Sequence, residues 1–143
     1  MNETFVAELK RKVLLYLGDT DKNMAQVCLA IIEHVSVAPS KKPHLTFLDL
    51  YRISPKVDEN IFYEAVFFLT RNNINVLDQQ FQALNPRTKE FQPVPNRNEL
   101  IESMRDGEFY NPFVGELLDE EGFGKQVLTY FSPSKYFMER LDG

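Results

Sequence analysis

Few side chains in this sequence have the type and spacing that catalysis or metal binding requires. The single cysteine, Cys28, lies on the apolar stripe of a predicted helix, which favours a buried, unreactive thiol over a nucleophile. The two histidines, His34 and His44, flank a predicted loop and lack the ligand spacing of a zinc site. The acidic run at 119–121 lacks the alternating acids of a calcium loop and indicates a solvated turn. We therefore expect no catalytic residue, no metal and no cofactor.

The short motifs that accompany common enzyme chemistries are also absent from the sequence. There is no phosphate-binding loop of the form GxxxxGKS or GxxxxGKT, no GxGxxG, no HExxH and no GxSxG. We expect a protein without enzymatic activity. An enzyme whose site has no recognisable motif is the least favoured alternative.

Length and composition are those of a single globular domain. The chain has 143 residues, of which 43% are hydrophobic and 26% charged, so it can bury a core. No apolar run approaches the roughly 18 residues that a transmembrane helix needs. The N-terminal sequence MNETFVAELKRK lacks the apolar region of a signal peptide, and one cysteine allows no internal disulfide. We expect a cytoplasmic protein that does not contact membranes.

The net charge of −5 is unevenly distributed along the chain. Residues 1–57 hold eight basic and six acidic side chains, whereas residues 98–143 hold four basic and ten acidic ones. The simplest interpretation of the acidic third is a solvated surface that keeps the protein soluble. The alternatives are a surface kept away from nucleic acid and a surface matched to a basic partner.

The first half of the chain has the periodicity of helices. Apolar residues at helical spacing predict helices over 3–17, 22–36, 46–54 and 58–72. Gly18 is a natural residue to follow the first helix, and Asp21 can cap the second. Thr46 and Asp49 have the spacing of a capping box at the start of the third. In the fourth, acids occupy the first turn and Arg71 the last, which suits the helix dipole.

The second half changes to the alternation typical of strands. INVLDQQFQAL predicts a strand, NPRTK a turn, and EFQPV a returning strand that Pro93 confines to a sheet edge. A short helix is predicted next, at about 98–106, followed by irregular or hairpin-like chain over 108–124. A strand is predicted at 125–131, and a final helix runs from Ser132 and Pro133 to Leu141.

This order of elements resembles the winged helix-turn-helix family over about residues 20–95. The resemblance is carried by LTFLDLYRISPKVDENIFYEAVFFLTRNN as the helix-turn-helix and INVLDQQFQALNPRTKEFQPV as the wing. It implies that 58–72 is the recognition helix, which normally lies in the DNA major groove, and that 85–89 is the wing tip. The family also contains members that have lost DNA binding and act as protein-interaction or dimerisation modules.

The expected fold class is therefore α+β. We predict a winged-helix-like helical core with a two-stranded hairpin wing and a small α/β extension at the C-terminus. The expected organisation is a single domain over 1–143, with the core at 1–97 and the acidic extension at 98–143 packed on it.

The outer face of the predicted recognition helix is poorly suited to reading DNA. Its candidate interaction residues are Asn60, Tyr63, Glu64, Phe67 and Arg71. Glu64 lies in the middle of this face, and Asp58 and Glu59 occupy the helix end that should approach the groove, so phosphates would repel all three. Phe67 is better explained by protein that covers it, either the C-terminal segment or a second chain.

The favoured function is accordingly protein–protein interaction, through dimerisation or docking in a larger assembly. The partner is another protein or a second copy of the chain. The alternative is a DNA-binding transcriptional regulator. Its candidate phosphate contacts are Lys41, Lys42, Arg87, Lys89 and Arg97.

Overall fold

The chain has an α+β fold, as predicted. The computed structural model describes residues 2–143. The helices are α1 (Glu3–Leu17), α2 (Lys22–Ser36), α3 (Phe47–Ile53), α4 (Glu59–Phe68), α5 (Arg97–Arg105), α6 (Glu120–Gln126) and α7 (Lys135–Asp142). The strands are β1 (Leu77–Asn85), β2 (Glu90–Pro93) and β3 (Val127–Pro133).

Side-chain caps begin the helices of the first half where the sequence predicts them. The Asp21 carboxylate accepts a hydrogen bond from the amide of Met24 at 3.0 Å and starts α2. At the start of α3, the amide of Asp49 donates to the Thr46 hydroxyl and the amide of Thr46 donates to the Asp49 carboxylate. This capping box lowers the pKa of Asp49, chiefly because the carboxylate accepts the backbone hydrogen bond from Thr46.

Helix α4 is shorter than predicted, because it ends at Phe68 and not at residue 72. The chain then turns back, and the carbonyl of Leu69 accepts hydrogen bonds from the amides of Val76 and Leu77 at 3.0 and 3.1 Å. Leu69 and Val76 are fully buried. Burial of the turn therefore overrides the helical pattern, and Arg71 lies beyond the helix rather than in its last turn.

The predicted hairpin is confirmed. Strands β1 and β2 are antiparallel, with Asn85 paired to Glu90 across a turn at 86–89. Lys89 has a positive φ of 61° in this turn. The strand order is β2-β1-β3, so β2 with Pro93 is an edge strand, as the sequence indicates. The sequence predicts the strand that becomes β3 but does not predict that it pairs with β1.

Several expectations for the last third are wrong. Residues 120–124 belong to a helix and are not irregular or hairpin-like, and Lys125 and Gln126 complete that helix instead of beginning a strand. Asp119 caps the helix by accepting a hydrogen bond from the amide of Gly122. The acidic run at 119–121 therefore begins α6 and is not a solvated turn. The final helix begins at Lys135 with Ser134 as its cap, because β3 continues through Pro133.

The structure contains two compact units with separate cores. The first comprises residues 2–78 and 131–143, and its largest fully buried side chains include Phe62, Phe131, Phe137, Ile31, Ile32 and Leu50. The second comprises residues 79–130, and its buried core consists of Phe81, Ala83, Leu100, Phe123 and Val127. The division predicted at residue 97 falls inside the second unit, and the single-domain organisation stays a prediction.

Position 18 requires glycine because the carbonyl of Leu14 lies too close to leave room for a side chain. The backbone there is not left-handed. Its φ is −58°, and its amide donates to the carbonyl of Leu14 at 2.8 Å. A Cβ at this position would lie 2.6 Å from that carbonyl oxygen. Gly124 lies inside α6, and a Cβ there would meet nothing within 4 Å.

We expect opposite effects from alanine at these two glycines. Gly18→Ala should lower the free energy of unfolding by about 1–3 kcal/mol, because backbone must move to admit the methyl group. Gly124→Ala should raise it by about 0.5–1 kcal/mol through helix propensity. Urea unfolding followed by circular dichroism measures both. A Gly18→Ala variant more stable than the wild type would contradict the steric conflict with the Leu14 carbonyl.

Candidate interaction surface

The structure brings the predicted interaction residues together. A shallow cavity of about 660 Å³ in the first unit is lined by Asn60, Tyr63, Glu64, Phe67 and Arg71, together with Met24 and Phe68. These residues come from α4, from the turn that follows it and from the start of α2. The cavity is therefore a groove on the outer side of α4 rather than an enclosed ligand site.

Phe67 is only partly covered within the chain. Its ring meets the edges of Phe47 and Phe131, each with ring centroids 6.1 Å apart. Phe131 belongs to the C-terminal segment, so this contact supplies part of the cover that the sequence predicts. The side chain nevertheless remains 42% exposed. Cover by a second chain stays a prediction.

Helix α3 extends the exposed apolar surface beyond the predicted residues. Phe47 and Tyr63 pack edge to face with ring centroids 5.1 Å apart. A second cavity of about 340 Å³ lies beside the first, and its lining includes Phe47, Leu48, Tyr51 and Tyr63. Leu48 and Tyr51 are exposed. We call Phe47, Leu48, Tyr51, Tyr63 and Phe67 the α3–α4 aromatic face.

Sequence reasoning missed the α3 part of this face, although a signal was present. Five of the seven residues in FLDLYRI are apolar, which is more than one side of so short a helix can bury. Leu50 is fully buried, and Leu48 points to solvent. A short helix whose apolar arc is wider than the core contact indicates apolar side chains on a second, exposed surface.

Charges of opposite sign lie on either side of Phe67 in the sequence. Glu64 precedes it by one turn of α4, and Arg71 lies in the turn that follows the helix. Within the described residues, no ion pair or hydrogen bond engages the Glu64 carboxylate. The guanidinium of Arg71 lies over the Phe68 ring, 5.1 Å from its centroid. Both charged groups are therefore available to a molecule that docks here.

The candidate phosphate contacts are divided between the two units. Lys41 and Lys42 belong to the first unit, whereas Arg87, Lys89 and Arg97 belong to the second. Lys42 donates to the carbonyls of His34 and Val37 at 2.6 and 2.5 Å and so caps the end of α2. Arg97 donates to the carbonyl of Gln79 at 3.0 Å.

Three of these basic residues are exposed: Lys41, Arg87 and Lys89. Lys42 and Arg97, in contrast, have structural hydrogen bonds that a phosphate would have to replace.

The reactive side chains lie outside the cavities on α4. Burial, with a smaller effect of the negative charge of Asp21, raises the pKa of the Cys28 thiol to about 12. Its Sγ donates to the carbonyl of Ala65 at 3.6 Å. Burial also lowers the pKa of His34. Among residues 2–143, no group of three or more histidine, cysteine or acidic side chains is arranged to hold a metal ion.

Within residues 2–143, none of the helices has both the length and the apolar character needed to cross a bilayer.

Comparisons of the chain with protein-family models, curated proteins and solved structures found no match. The winged-helix resemblance therefore rests on the order of the elements and on the hairpin. It stays a proposal.

The exposure of Phe67 sets the effect of its removal on stability. Phe62, on the inner side of α4, is only 2% exposed. Phe62→Ala should lower the free energy of unfolding by about 3–5 kcal/mol, the range for emptying a core site. Phe67→Ala should lower it by about 1–2 kcal/mol, because much of the ring is already in water. Thermal unfolding measured by calorimetry compares the two variants. Equal decreases in the free energy of unfolding would mean that Phe67 is a core residue.

Proposed function

We propose that this chain is a non-enzymatic interaction module of the winged-helix type, acting in the cytoplasm. Its docking surface is the α3–α4 aromatic face, and its partner is a protein. The observation that carries the proposal is the half-exposed ring of Phe67, which lines the groove on the side of α4 that would read DNA in a winged helix.

The composition of this face supports a protein partner. Exposed aromatic side chains are enriched at the centres of protein interfaces, where they supply much of the binding energy. Tyr63 and Phe67 are each about two-fifths exposed and are held in place by the ring of Phe47. Rings fixed in this way lose little freedom when a partner covers them.

The state of Cys28 supports a role outside catalysis. A thiol with a pKa near 12 is protonated at neutral pH and does not act as a nucleophile. Its hydrogen bond to the carbonyl of Ala65 ties α2 to α4 and gives the residue a structural role.

DNA binding is the second candidate function. The exposed side chains of Arg87 and Lys89 at the hairpin turn favour it, because a wing tip normally contacts phosphates. The acidic start of α4 opposes it. The carboxylate of Asp58 accepts a hydrogen bond from the amide of Asn60 at 2.9 Å, so its negative charge is fixed at the helix end that would enter the groove.

The proposed function predicts that Phe67 controls protein capture. Phe91, in β2, is 41% exposed and is a matched control for the 42% of Phe67. Tagged wild-type chain, Phe67→Ala and Phe91→Ala are expressed in the native cell, cross-linked and purified, and the captured proteins are quantified. The proposal predicts that captured partners fall at least about tenfold in Phe67→Ala and persist in Phe91→Ala. Equal capture by all three proteins would refute it.

Fluorescence anisotropy on duplex DNA tests the second candidate. We expect weak binding that falls by orders of magnitude between about 50 and 200 mM salt, because only phosphate contacts are available. Submicromolar affinity that persists at 200 mM salt would establish a DNA-binding function instead.

A further inference from the structure

We propose that the partner of the α3–α4 aromatic face is a second copy of this chain. The two α4 helices lie antiparallel across a two-fold axis, with Phe67 against Phe67 and Glu64 of each copy against Arg71 of the other. This inference rests on the proposed function, since it names the partner for the same surface.

The placement of charges about Phe67 makes the face self-complementary. Glu64 lies one helical turn before Phe67 on α4, and Arg71 lies in the turn that follows the end of the helix at Phe68. All three residues line the same groove. A two-fold axis through Phe67 therefore brings the acidic side of one copy to the basic side of the other.

The charges also select the orientation. In the antiparallel arrangement, the dimer gains two ion pairs between Glu64 and Arg71. A parallel arrangement would place like charges opposite each other at both positions. Neither group has an ion pair within the described residues, so dimerisation breaks none.

The same arrangement gives the apolar residues a cover. Both Phe67 rings meet at the axis, where they exclude water from each other and from the neighbouring ion pairs. The contact closes on itself, because an isologous interface uses up the exposed face on both copies. The interface is centred on one helix of ten residues, so we expect a dissociation constant in the micromolar range.

Sedimentation equilibrium of the purified full chain, from about 1 to 500 μM, tests the dimer. Glu64→Arg and Arg71→Glu should each weaken self-association at least about tenfold, since each places like charges across both pairs. An equimolar mixture of the two variants should form a heterodimer, because one copy then carries two cations and the other two anions. Glu102→Arg, which reverses an exposed charge on α5, is the control and should not change the association.

Circular dichroism confirms that the variants fold. Should Arg71→Glu unfold, Glu64→Gln and Arg71→Gln provide a second pair that removes the attraction without repulsion. Each should weaken the dimer by a smaller factor.

A wild-type chain that stays monomeric at 500 μM would overturn the dimer, as would a dimer insensitive to both charge reversals. In either case, Phe67-dependent capture of a different protein would leave the proposed function standing. Loss of both the dimer and Phe67-dependent capture would refute the proposed function as well.

Discussion

The ring of Phe47 is the contact on which the first unit and its proposed surface both depend. It packs edge to face against Tyr63 and Phe131 at 5.1 Å, and it also meets Phe62 and Phe67. Such aromatic pairs contribute about 0.5–1.5 kcal/mol each beyond the apolar area that they bury. The Phe131 contact is fixed by the backbone, because Leu45 and Phe131 exchange two hydrogen bonds of 2.8 and 2.7 Å. The Phe47 side chain therefore links the start of α3 to α4 and to β3.

This arrangement makes the aromatic face a continuation of the core. Phe131 is fully buried, whereas Tyr63 and Phe67 are each about two-fifths exposed. The buried ring supports the exposed ones and holds them in the position that the proposed docking requires. Stability and the proposed recognition are thus coupled at Phe47, and a substitution there should weaken both. At Phe67 they are separable, which is why that residue is the informative one to change.

Local signals predicted more of this structure than long-range ones. The caps at Asp21 and Thr46 are contacts within three residues, and both were predicted with their helices. The predicted end of α4 was wrong because the amide of Val76 donates a hydrogen bond to the carbonyl of Leu69, seven positions earlier. Helical periodicity gives no sign of such a contact. Helix α6 was missed because two glycines weaken its pattern, and the β1–β3 pairing joins segments more than forty residues apart.

The candidate site was predicted on α4 alone, because the outer face of one helix can be derived from its sequence. Its continuation onto α3 depends on packing.

The proposed dimer requires that the α3–α4 aromatic face becomes covered as the concentration of the chain rises. Amide proton–nitrogen correlation spectra of the full chain, recorded between about 20 and 500 μM, measure this residue by residue. Covering of this face by a second copy predicts concentration-dependent shifts clustered at 47–71 and strongest around Phe67, with little change over 79–130. Shifts confined to 79–130, or spectra that do not change with concentration, would contradict the dimer.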